Sequence, residues 1–153
     1  MTRRRLLCEG PDDLAAVREL ALHAFGGSVV RNTSRGAGNP RLIDLRGRSG
    51  VSIGLVASNG KSELPRSAAT ELAVLADQTG PGEDRLKAIG VLFDPDDAGE
   101  EAFHAALQES FTSGAPEWTV KSRSSASWSA RRRRGEHVFI SAIAWRGDAP
   151  NLA

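Results

Sequence analysis

The sequence predicts an α/β domain in which strands and helices alternate and join through right-handed crossovers. Three observations carry that expectation. Short apolar runs bounded by Gly, Asn, Ser and Asp alternate with longer stretches whose apolar residues recur at helical spacing. Leu86 to Phe93 is apolar apart from Lys87, and near-continuous apolarity marks a strand buried on both faces, as in a parallel sheet. Two strand candidates end in acidic turns, Glu9-Gly10 and Asp94-Pro95-Asp96, each followed directly by a helix. In open α/β sheets the functional groups gather at such carboxyl ends.

The elements follow in order. Arg4 to Cys8 reads as a buried strand closed by Glu9-Gly10. Pro11-Asp12-Asp13 opens a helix, with proline early and acids in the first turn, and Leu14, Val17, Ala21, Ala24 and Phe25 form its buried stripe. Gly26-Gly27 ends it. Val29-Val30, Leu42-Ile43 and Val51 to Ala57 are strand candidates separated by loops, and Ser58-Asn59-Gly60-Lys61 closes the last. Ser62 and Pro65 start a second helix, with Leu64, Ala68, Leu72 and Leu75 on one face. After the strand Leu86 to Phe93, a third helix carries Phe103, Leu107 and Phe111 at i, i+4 and i+8. Trp118 to Arg123 and His137 to Trp145 are expected as a C-terminal strand pair, with Ser124 to Gly135 as a polar, basic loop between them.

The 153 residues and 16.3 kDa fit a single domain, 1–153. No apolar run is long enough for a membrane-spanning helix, and the apolar start at Leu6-Leu7 is too short for a secretory signal. One cysteine makes no internal disulfide, so a reducing cytoplasm is expected. The Arg, Ala and Gly bias suggests a high-GC bacterial coding sequence. The net charge is only +1, but the signs are segregated: arginines gather at 3–5 and 131–134, acids at Glu9, Asp12 and Asp13 and again at Asp94, Asp96, Asp97, Glu100 and Glu101.

Asp94 and Asp96 lie two apart in a turn fixed by Pro95, a spacing that lets both carboxylates face one cation. Hard oxygen ligands suit Mg²⁺ or Mn²⁺, and Glu9 supplies a third carboxylate to hold a metal or move a proton. The plainer alternative is that Asp96 or Asp97 caps the third helix and Asp12 or Asp13 sits at the positive end of the first. A calcium loop does not fit, because Ala98 and Ala105 stand at its fifth and twelfth positions.

Leu6-Leu7-Cys8-Glu9-Gly10-Pro11-Asp12-Asp13 resembles the first motif of Toprim domains, an apolar strand followed by Glu-Gly and an Asp three residues after the glycine. Val91-Leu92-Phe93-Asp94-Pro95-Asp96-Asp97-Ala98-Gly99 resembles their second, Asp-x-Asp-x-x-Gly after a strand. The motif-bearing core would run over 4–112, leaving a basic extension over 113–153. The resemblance implies a Rossmann-like, mainly parallel sheet of about four strands flanked by helices, a divalent-metal site and work on phosphodiester bonds. Carried over by position, Glu9 and Asp13 would be the catalytic residues, and Glu9, Asp94 and Asp96 the metal ligands. Lys61 would contact phosphate.

With no tyrosine the chain is not a complete topoisomerase, and with one cysteine it lacks a primase zinc site. Gly60-Lys61-Ser62 ends like a phosphate-binding loop, but Leu55 stands where the opening glycine belongs. What the resemblance leaves is a Mg²⁺- or Mn²⁺-dependent nuclease. The alternative is a non-catalytic Toprim scaffold binding nucleic acid or protein in a defence, repair or replication assembly. Arg131, Arg132, Arg133 and Arg134 beside Trp128 are expected to contact a nucleic acid. A homodimer, or an ATPase acting in trans, is the expected protein partner, completing the last sheet edge.

Overall fold

The structure is a computed structural model, and it describes residues 3–34, 41–47, 52–75, 86–95, 99–132 and 135–145. Its strands are β1 (Arg3–Cys8), β2 (Ser28–Ser34), β3 (Arg41–Arg46), β4 (Ser52–Ala57), β5 (Leu86–Phe93), β6 (Thr119–Ser124), β7 (Ser127–Arg131) and β8 (His137–Ala144). Its helices are α1 (Pro11–Phe25), α2 (Leu64–Thr70), which runs on as a π turn over Glu71–Leu75, and α3 (Gly99–Gly114). No described helix is long and apolar enough to cross a membrane.

All eight strands form one sheet in the order β2-β3-β4-β1-β5-β8-β7-β6. β4, β1, β5 and β8 run parallel in the middle. The pairs β2–β3, β3–β4, β6–β7 and β7–β8 are antiparallel, four of the seven pairings. This corrects the expected Rossmann-like Toprim sheet, mainly parallel and of about four strands. The sheet is twice that size and mixed, extended by β2–β3 on one side and by β7–β6 on the other. The expected C-terminal strand pair is three strands, because Ser127–Arg131 pairs with both neighbours inside the stretch read as a loop. Only Trp128 and Ala130 of β7 face the core, and serines and Arg131 fill the alternate positions, so its composition reads as polar.

The sheet buries both faces over its central strands. On one, α2 and α3 pack on Leu7, Val56, Ile89, Val91 and Phe93, with Phe103, Leu107 and Phe111 as the stripe of α3. The Phe93 and Phe103 rings stack at 4.0 Å. On the other, Leu14, Val17 and Ala21 of α1 pack on Ile43, Leu45, Ile53, Leu55 and Leu92. Leu7 and Val56 point into one core and Cys8 and Leu55 into the other, which is why the C-terminal ends of β1 and β4 are apolar at consecutive positions.

Candidate functional site

Open α/β sheets hold ligands where neighbouring strands send their connections in opposite directions. Here that point lies between β1 and β5. From β1 the chain crosses through α1 toward β4, and from β5 it crosses through α3 toward β8. Glu9 follows β1 and Asp94 follows β5, so the topology brings two residues 85 positions apart to one edge. The backbone N–H of Asp94 donates to Oε1 of Glu9 at 3.0 Å.

A third strand end is tied to the same place. Beyond β4, the Ser58 N–H donates to the Cys8 carbonyl at 2.9 Å and the Gly60 N–H to the Glu9 carbonyl at 2.8 Å. Gly60 has φ +94°, a conformation that favours glycine and that aims its N–H back at β1. Lys61, next in the chain, donates its Nζ to the Asp94 carbonyl. Ser58 is buried and its hydroxyl bonds to Ser67 Oγ of α2 at 2.8 Å.

The ends of β1 and β5 border a cavity of about 540 Å³. Glu9, Asp12, Asp13 and Asp94 form its acidic side, and Val17, Leu92, Phe93 and Trp145 its apolar side. Asp12 and Asp13 stand in the first turn of α1, where the helix dipole favours negative charge. No side chain caps that helix, and Gly10 occupies the N-cap position. Trp145 is held where β8 ends, its N–H donating to the Phe93 carbonyl at 2.6 Å. Cys8 sits beneath the acids, with Sγ 3.6 Å from the Gly10 carbonyl oxygen. Burial first, then the Asp13 charge, push its thiol up to about 12; the Gly10 contact opposes this and Glu9 adds to it.

Of the residues the sequence singled out, Glu9, Asp13 and Asp94 come together, and Lys61 joins them through the Asp94 carbonyl. Asp96, Asp97, Arg133 and Arg134 lie outside the described residues. Arg131 is exposed at the end of β7. Arg132 is engaged: its Nε and Nη2 donate to the Glu136 carboxylate at 2.8 and 2.9 Å, and its guanidinium lies 5.1 Å from the Trp118 ring. Trp128, expected beside these arginines as a stacking surface, is 3% exposed in the core. Sequence reasoning missed Trp145 as a cavity wall, because nothing in the local pattern separates it from a strand-end core residue.

Among the described residues, no three His, Cys, Asp or Glu side chains form a ready metal cage. The donor set is nevertheless hard and anionic. Glu9 spends one carboxylate oxygen on the Asp94 N–H, which leaves its second oxygen as a donor. Such a set fits a divalent cation that keeps most of its water and shares the rest with a ligand, not a fully protein-coordinated ion.

No family model matches the chain. No curated protein matches it either. Solved structures do match. A glyoxalase/bleomycin resistance protein/dioxygenase domain from Frankia sp. EAN1pec is 15% identical, with 92% of this chain and 94% of that chain covered and a TM-score of 0.29. The fosfomycin resistance protein FosX from Listeria monocytogenes, complexed with Mn(II) and sulfate, is 10% identical over 93% and 88%, with a TM-score of 0.30. Methylmalonyl-CoA epimerase from Mycobacterium tuberculosis is 12% identical over 93% and 87%, with a TM-score of 0.31. These structures are named for families other than Toprim, and none of the three is named as a nuclease.

The mixed eight-stranded sheet overturns the Toprim resemblance, and with it go the readings drawn from that resemblance: the phosphodiester-cleaving nuclease, the Toprim scaffold and nucleic-acid binding as its task. The two motifs amount to a carboxylate placed after each of two strands, a pattern that does not by itself specify one fold or one chemistry. At identities of 10–15% and TM-scores near 0.3, the matches in turn give this chain neither a substrate nor a reaction.

Proposed function

We propose that the crevice between β1 and β5 is a small-molecule binding site that uses a divalent cation, Mg²⁺ or Mn²⁺, to join an anionic or polar ligand head to Glu9 and Asp94. The observation that carries this reading is the Asp94 N–H to Glu9 Oε1 bond at the rim of a 540 Å³ cavity. It holds one carboxylate in place and sets the Asp94 backbone beside it, so two acids from distant segments share one fixed edge. Asp13 adds negative charge from the first turn of α1. The apolar wall of Val17, Leu92 and Trp145 would take the ligand's carbon body. Cavities of this size, largely apolar with a few convergent polar groups, suit a small organic molecule. The proposal is one of binding and gives no residue a bond-breaking step.

Mn²⁺ titration followed by electron paramagnetic resonance tests it. One ion is expected to bind with a dissociation constant on the order of 10⁻⁴ to 10⁻³ M, the range of weak oxygen-ligand sites. Glu9→Gln and Asp94→Asn are each expected to weaken it roughly tenfold. Mn²⁺ that stays free through that range, or that binds equally well to both variants, overturns the reading.

A further inference from the structure

Among the described residues, helix α1 packs mainly on β3 and β4 and leaves the continuation of the same sheet face open. Along β8, Val138, Ile140 and Ala142 point into the core, while Phe139 and Ile143 point the other way and are 44% and 45% exposed. Strand register aligns that face across neighbours. Ala88 of β5 pairs with Phe139, Leu92 with Ile143, and on the other side Ser129 of β7 pairs with Phe139. Lys121 of β6 pairs with Ser129. Two large apolar side chains thus stand on an otherwise serine-rich, open sheet.

Among the described residues, the rim of this face carries one sign of charge. The Arg123 guanidinium lies 5.0 Å from the Phe139 ring. Arg131 and Lys87 both act electrostatically on His137, whose ring is 4.3 Å from Phe139. Lys87, Lys121, Arg123 and Arg131 are all exposed, and none makes an ion pair with another described residue. The exposed residues of β6, β7 and β8 include no acid. An exposed apolar pair ringed by unpaired cations has the anatomy of an interface with an apolar centre and a charged rim.

We infer that this open face of β5–β8–β7–β6 docks an acidic polypeptide segment that inserts an aliphatic side chain between Phe139 and Ile143. Charge complementarity selects the occupant. A two-fold dimer through this face would set the same cations against each other, so a second copy is disfavoured. A stacked nucleic-acid base is disfavoured too. Arg123 and His137 already lie against Phe139, and Trp128, the aromatic nearest in sequence to the arginine run, is buried. An acidic chain meets both demands at once, with carboxylates for the four cations and an apolar anchor for the centre. The surface lies beyond the crevice residues proposed above to bind a ligand, and its test does not depend on that proposal.

The test is a titration of ¹⁵N-labelled protein, followed by amide chemical shifts, with three synthetic probes: a peptide of alternating Glu and Leu, one of alternating Glu and Ser, and a single-stranded oligonucleotide. The Glu/Leu peptide is expected to shift amides of β6, β7 and β8 saturably and to bind roughly tenfold more tightly than the Glu/Ser peptide. Arg123→Glu combined with Arg131→Glu, and separately Phe139→Ser, are each expected to weaken it roughly tenfold while shifts elsewhere stay as in the wild type. Equal binding of the two peptides overturns the anchor, and tighter binding of the oligonucleotide overturns the polypeptide occupant. Absence of saturable shifts overturns the surface itself, as does a dimer in sedimentation that the Phe139→Ser variant abolishes.

Discussion

Asp94 donates its backbone N–H to Oε1 of Glu9 at 3.0 Å and receives the Lys61 ammonium on its carbonyl. One residue therefore links the ends of β1, β4 and β5, and the bond doubles as a structural tie and a device for orienting a carboxylate. The two roles separate by substitution. Glu9→Gln keeps an oxygen that accepts the Asp94 N–H, so its melting temperature is expected to stay within about 1–2 °C of the wild type. Glu9→Ala removes the acceptor and is expected to lose about 1 kcal/mol in urea unfolding. Cation binding is expected to fall in both. A Glu9→Gln variant as destabilised as Glu9→Ala would show that the bond as drawn is not what the carboxylate contributes.

Arg5 predicts a second effect, away from the crevice. Register places Arg5 of β1 opposite Gly54 of β4, and Gly54 opposite Asp44 of β3. The Arg5 side chain crosses the glycine and reaches Asp44 Oδ1 at 3.2 Å, with Glu71 Oε2 3.6 Å from its Nε. A Cβ at Gly54 would overlap the guanidinium and lie 2.7 Å from its Cζ. The Arg5 and Glu71 side chains are only 11% and 4% exposed, so displacing the guanidinium breaks its contacts with Asp44 and Glu71 in a largely buried setting. Gly54→Ala is therefore expected to cost about 2–4 kcal/mol in urea unfolding. In an Arg5→Ala background the same change is expected to cost close to nothing, and additive costs would refute the crossing.

The sequence revealed strands and helices where one element carries its own pattern. The Phe103, Leu107 and Phe111 stripe, which is buried, and the apolar run of Leu86–Phe93, buried at Leu86, Ile89 and Val91 to Phe93, are examples. The ends of β1 and β5 were legible as acidic turns, and their meeting followed from sheet logic. Relationships fixed only by register were not legible. Gly54 looks like a weak point in a strand until Arg5 is laid across it, and Ser127–Arg131 looks like a loop until two neighbours supply its hydrogen bonds. The reaction was not legible either. Two carboxylates at strand ends report an acidic crevice, and only their ligand would distinguish the chemistries such a crevice supports.

The arginine run yields a third prediction. Arg132 makes a two-toothed contact with Glu136 across the turn before β8, stands 3.8 Å from Glu117, and stacks on Trp118. The hydrogen bond to Glu136 holds its guanidinium above its ordinary value. Lysine keeps the charge but cannot match the paired carboxylate oxygens or the ring face. Arg132→Lys is expected to lose about 1–2 kcal/mol, read by the shift in tryptophan fluorescence on urea unfolding. Arg131→Lys, at an exposed position without an ion pair among the described residues, is expected to change stability by less than about 0.5 kcal/mol. Equal costs would mean that the run is a solvated loop throughout.

The fourth prediction concerns pH and falls on the open sheet face. His137 titrates below its ordinary value, through burial first and then through Arg131, Arg123 and Lys87, and its Nε2 lies 2.5 Å from Ser129 Oγ. The unfolded chain then binds a proton near pH 6.5 that the folded chain still refuses. Stability is accordingly full above about pH 6.5 and falls as the pH drops toward the folded value, the direction for any group that the fold keeps neutral. Proton NMR of the imidazoles separates His137 from His23 and His104. In the Arg123→Gln/Arg131→Gln variant the His137 titration is expected to move upward, and the acid-side loss of stability to shrink with it. An acidic peptide docked on this face should move the same titration upward in the wild type, because its carboxylates offset the cations that hold the proton off. A His137 that titrates at or above the free value would mean that those cations lie farther from the ring than the fold places them.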